Sequence, residues 1–135
     1  MHAGEEVTVD EAVRLGAADS VFYSQFFFPA TARQGTPEMH REAWAELDST
    51  ANRFVALKMF RGSAKTTLLR LFTSKRVAYG ISHLILYIGA NEGLAVESLS
   101  WLKRQVEHNS LWTSAFGLRM GGTWRSDEIE QRSAD

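Results

Sequence analysis

The chain has 135 residues, 44% hydrophobic and 23% charged, the balance of an ordinary folded domain long enough to bury a core without covalent staples. It has no cysteine, which excludes a thiol nucleophile, a thiolate metal site and a disulfide framework. No stretch approaches the ~20 apolar residues of a membrane span, and the acidic opening MHAGEEVTVDEAVRLG is not a secretory signal, so a soluble protein with no membrane partner is expected.

In chain order, residues 1–20 carry little hydrophobic pattern and read as a loose or weakly helical acidic lead-in to a single unit over 21–135. Phe22, Tyr23, Phe26, Phe27 and Phe28 then crowd before Pro29, an aromatic knot suited to packing against the rest of the domain. ARQGT is a loop. TPEMHREAWAELDS is a helix, with Thr36 placed to cap, Pro37 at the first position and Glu38 where the helix dipole favours an acid. The apolar run NRFVALKM reads as a strand. After a turn, KTTLLRLFTSKRVAYG reads as a helix with Leu68, Leu69 and Phe72 inward and Gly80 at its end.

HLILYIGA, from His83 to Ala90, is nearly all apolar, the pattern of a strand buried on both faces. Asn91 caps a long helix, EGLAVESLSWLKRQVEH, whose stripe is Ala95, Leu99, Leu102 and Val106, with Asn109 as its stop. SLWTSAF adds a short helical turn closed by Gly117. Gly121-Gly122 marks a turn between two short strands of a hairpin. Helix, strand, loop, helix, strand, helix in succession predicts an α/β fold with a parallel sheet and crossovers.

Charge is unevenly spread although the net value is −1. Between Ser49 and Asn91 there is no Asp or Glu, while Arg53, Lys58, Arg61, Lys65, Arg70, Lys75 and Arg76 all fall there. Such a segment suits an anionic partner such as phosphate or nucleic acid; a solvated helix face balanced by the fold is the simpler reading for Arg70, Lys75 and Arg76. Within it lies FRGSAKTT. A phosphate loop converges backbone N–H groups on an anion at a helix N-terminus, and its usual form is G-x-x-x-x-G-K-[ST]. Lys65 and Thr66 fit the last two places, but Met59 stands for the first glycine and Ala64 for the second. Arg61 would add a second cation. An unliganded basic turn fits the same residues.

Taken together, Phe22 to Trp124 resembles the start of the ATPase domain of the phage terminase large subunit, the DNA-packaging motor. The resemblance rests on FRGSAKTT, with Arg four residues before Lys and a small residue directly before it. It also rests on FFFPATARQGTPEMHREAWAEL upstream and on ILYIGANEGLAVESLSWLKRQVEHN downstream. It implies a partial P-loop NTPase sheet of the RecA/ASCE-like kind, flanked by helices and truncated before the catalytic-acid strand. It implies that Gly62, Ser63, Ala64 and Lys65 cradle the phosphates of ATP, that Lys65 neutralises the outer ones, and that Thr66, beside Thr67, holds Mg²⁺. Arg61 would sense or stabilise the γ-phosphate, and His40, near where related motors place a Gln, would read adenine.

The implied partners are double-stranded DNA, a small terminase subunit and a capsid portal, within an oligomeric motor in the cytoplasm of a bacterial host. The chain departs from the family in two respects. No apolar strand ends in the acids that ATP hydrolysis needs, because Glu92, Glu97, Glu107, Asp127, Glu128, Glu130 and Asp135 follow no such run. Nor is there a carboxylate-rich nuclease segment, so phosphate binding without turnover is expected. A helicase-like translocase and a small non-enzymatic nucleic-acid-binding α/β module share parts of the pattern.

Overall fold

In the computed structural model, residues 7–32, 36–51, 54–60, 64–124 and 128–132 are described. They form six helices followed by one antiparallel hairpin: α1 (Val9–Ala18), α2 (Ser20–Phe27), α3 (Glu38–Asp48), α4 (Lys65–Ala78), α5 (Glu92–His108), α6 (Ser110–Phe116), β1 (Arg119–Trp124) and β2 (Ile129–Arg132).

The expected parallel sheet is therefore corrected: this is a mostly helical fold, and among the described residues no parallel strands pair. Residues 54–60 and 83–90, both read as strands, run without strand assignment. Leu84, Leu86 and Ile88, expected in a doubly covered interior, are 78%, 75% and 88% exposed. The physical reason lies in the core. A parallel strand needs hydrogen-bonded neighbours and helices over both faces. Here the helices pack on one another instead.

The centre of that packing is α2, which touches α1, α3 and α4, while α6 sits against α1 and α5. The aromatic knot supplies the core, as its composition suggested. Tyr23, Phe27 and Phe28 are buried together with Trp112 of α6. Tyr23 meets Phe27, Phe28 and Tyr79 in tilted ring contacts at 5.5, 5.8 and 5.9 Å, and Phe28 meets Trp112 at 5.4 Å. The polar edges of these rings are satisfied within the core. The Trp112 indole N–H donates to Tyr23 Oη at 2.9 Å, and that hydroxyl lies 3.0 Å from Ser74 Oγ. Burial pushes the Tyr23 phenol well above its usual pKa, against the opposing effect of these hydrogen bonds.

Local signals explain most helix ends. Of the two readings of the lead-in, loose or weakly helical, residues 9–18 take the helical one: Thr8 and Glu11 form a reciprocal capping box on α1, which packs through Ala12 and Gly16. At Gly16 the chains approach so closely that an added Cβ would lie 2.7 Å from Tyr79 Oη, whose hydroxyl donates to Val13 O at 2.5 Å. Asn91 caps α5 by accepting from Leu94 N at 3.0 Å, and Asn109 both ends α5 and caps α6. Gly80 and Gly117 take the left-handed conformation that closes a helix. In α3, however, Pro37 occupies the cap, and Thr36 accepts from Gln25 Nε2 at 3.4 Å instead of capping. The hairpin forms, but Gly121 and Gly122 lie inside β1, where the register shifts between Met120 and Trp124, and not at its turn.

Candidate functional site

The start of α4 is built from the residues that the phosphate-loop pattern singled out. Ala64 precedes the helix with φ 60° and ψ 33°, the left-handed region, and is the single non-glycine residue with positive φ among those described. An L-residue in that region costs about 1–2 kcal/mol relative to glycine, because its Cβ crowds the following carbonyl. Ala64 stands where the usual phosphate loop has its second glycine, so the sequence held the signal: a position demanding glycine geometry. Strain of this kind collects where a backbone must aim its amides.

The amides are placed accordingly. Leu68 N donates to Ala64 O at 3.0 Å and closes the first turn. The N–H groups of Lys65, Thr66 and Thr67 have no backbone acceptor among the described residues, and the N-cap Ala64 has no side chain that could cap the helix. The first turn carries no acid, whereas Lys75 and Arg76 stand in the last. The first-turn amides of this 14-residue helix, its positive dipole end and the Lys65 ammonium at the same turn are features that favour an anion. Arg61, Gly62 and Ser63 lie outside the described residues.

His40, the expected adenine reader, lies half-buried in the first turn of α3. One turn on, buried Trp44 meets Phe72 of α4 at 6.0 Å. Phe72 is seven residues beyond Lys65, so α3 is docked about 10 Å down the helix from the candidate site at 1.5 Å per residue. The Trp44–Phe72 contact joins the two helices. For Mg²⁺, the donor set is short: among the described residues no three carboxylate or imidazole side chains converge. Thr66, exposed in the first helical turn, offers only a hydroxyl.

Three of the seven basic residues of the charged segment, Arg70, Lys75 and Arg76, are engaged within the fold. Lys75 is buried, and its Nζ donates to Ser20 Oγ at 2.6 Å and Ala17 O at 3.3 Å, with Asp48 Oδ2 at 4.0 Å. Ser20 in turn donates to Asp48 Oδ2. Burial pushes the Lys75 pKa down, while the Asp48 and Asp19 charges pull it back up. This serine, lysine and carboxylate lie together as they would in a hydrolytic site, but Ser20 is 4% exposed and Lys75 5%, so no substrate reaches them. The group ties α2, α3 and α4 together. Arg76 lies over the Phe72 ring at 5.3 Å and donates to Ser82 Oγ at 2.8 Å. Arg70 donates to Ser98 Oγ at 3.3 Å. Among the described residues no helix is long and apolar enough to cross a membrane. No family model matches the chain, and comparison with curated proteins and with solved structures likewise finds no match.

Proposed function

We propose that the N-terminus of α4 binds the phosphates of a nucleotide, and that the chain serves as the N-terminal ATPase segment of a viral DNA-packaging terminase large subunit. The observation that carries the reading is Ala64. A strained left-handed residue precedes a lysine and three amides that have no backbone acceptor among the described residues, within a sequence that independently resembles a deviant phosphate loop. The fold lends it no support, since the parallel sheet that the resemblance implied is not what these residues form. The reading stands on the loop alone.

In this reading the amides of Lys65, Thr66 and Thr67 orient the phosphate oxygens, and the Lys65 ammonium offsets their charge. Thr66 would contribute a hydroxyl to the Mg²⁺ of the nucleotide, which supplies charge neutralisation between phosphates when bound. Arg61 and Gly62 to Ala64 complete the loop, and His40 is the proposed base contact. Double-stranded DNA, a small terminase subunit and a portal are the partners of the assembled motor. Binding without turnover is expected, because no acid stands at the end of an apolar strand to activate water.

Titration with Mg-ATP or Mg-ADP tests this. Lys65→Ala should abolish binding, and nucleotide affinity unchanged by that substitution would remove the loop from consideration. DNA binding that falls steeply with salt and ignores nucleotide would instead favour the nucleic-acid-binding module.

A further inference from the structure

The segment Leu84–Ala90 carries an unused set of interactions. It makes no backbone–backbone hydrogen bond with any described residue. Its side chains alternate: Leu84, Leu86 and Ile88 are exposed, Ile85 and Tyr87 half-buried. That is the period-two pattern of a strand with one face and both edges unpartnered among the described residues. Beneath it a cleft of about 750 Å³ opens towards Val77 at the end of α4 and Val96, Leu99 and Leu102 of α5. The Tyr87 hydroxyl is buried in the lining of that cleft without a hydrogen-bond partner.

We propose that this edge pairs with itself, joining two copies of the chain through antiparallel Leu84–Ala90 strands. Three features favour a second copy over another occupant. First, Leu84 to Asn91 carries no charged residue, so two copies meet there without repulsion. Second, an antiparallel register centred on Tyr87 sets Leu86 opposite Ile88 twice and His83 opposite Asn91 at both ends, with no like charges facing one another. Third, Leu84, Leu86 and Ile88 are 78%, 75% and 88% exposed, apolar side chains that cross-strand neighbours on a paired strand partly cover. A small apolar ligand in the cleft would leave the strand's N–H and C=O groups unpaired. A second strand satisfies them.

The test is sedimentation equilibrium over a wide concentration range, with amide hydrogen exchange on the same samples. Wild-type chain should show a reversible monomer–dimer equilibrium, and the amides of residues 84–90 should exchange more slowly as concentration rises. Leu86→Lys, which places two like charges near the centre of the pairing, should raise the dissociation constant at least about tenfold, or ~1.4 kcal/mol. Circular dichroism of that variant checks that the helices survive. A chain that stays monomeric at every concentration overturns the proposal, as does a dimer that Leu86→Lys leaves intact. Exchange at 84–90 that is independent of concentration overturns it without recourse to any variant.

Discussion

Replacing Tyr23 by Phe removes one oxygen from the middle of the core and leaves the ring contacts in place. The cost depends on the groups which that oxygen holds. Trp112 is fully buried, and its indole N–H donates to Tyr23 Oη at 2.9 Å. Without the acceptor this donor is buried and unpaired, which costs about 1–3 kcal/mol. Ser74 loses less, because its hydroxyl also donates to Leu71 O at 2.6 Å. The sum is about 2–3 kcal/mol, a sizeable part of the ~5–15 kcal/mol that holds a domain together. With a urea m-value of about 1–3 kcal/mol/M, the midpoint should fall by roughly 1 M. Urea unfolding followed by helical circular dichroism measures it. Adding Trp112→Phe to Tyr23→Phe removes the orphaned donor, so the double variant should lose less than the sum of the singles. A loss below ~0.5 kcal/mol for Tyr23→Phe, or strict additivity of the pair, would refute the claim that this hydrogen bond organises the core.

Ala64→Gly should stabilise the protein by about 0.5–1 kcal/mol, since relief of the left-handed strain outweighs the extra freedom of glycine in the unfolded chain. Thermal unfolding checks it, and a lower melting temperature would show that Ala64 is not strained. Alkaline titration gives another expectation. Burial pushes the Tyr79 phenol up from 10.0 to about 12, so its contribution is full below pH 10 and lost as pH rises through 12. Two units correspond to about 2.7 kcal/mol, and solvent screening of this partly exposed group reduces that to ~1 kcal/mol. Lys75, shifted downward, acts with the opposite sign: stability rises with pH until the unfolded lysine deprotonates near 10.5. Stability should therefore hold or rise slightly to pH 10 and fall beyond it, and Tyr79→Phe should flatten the fall. An unchanged slope in that variant would count against the assignment.

How much of the fold was legible in the sequence depended on the range of each interaction. Helix ends at Asn91, Asn109, Gly80 and Gly117 were readable because capping is settled within a few residues. The Thr8–Glu11 box was equally local, and Thr-x-x-Glu before residues 9–18 was a signal for α1 stronger than the weak hydrophobic pattern suggested. The two expected strands failed for the opposite reason. Leu84–Ile88 has every local mark of a buried strand, but burial depends on neighbours that local pattern cannot supply. Likewise, nothing near Lys75 in sequence announces that it is buried against Ser20 and Asp48, 55 and 27 positions away. At the candidate site, Lys65 at a helix start was readable from spacing. Ala64 in place of glycine looked like a departure from the pattern, yet it takes the left-handed conformation that glycine adopts most readily.

The most direct measurement is isothermal titration of the purified chain with Mg-ADP, wild type beside Lys65→Ala, with both shown folded by circular dichroism. Saturable binding by the wild type that is lost in Lys65→Ala is the expected result. Absence of binding by a folded wild type, or equal binding by both, would contradict a phosphate site at the start of α4.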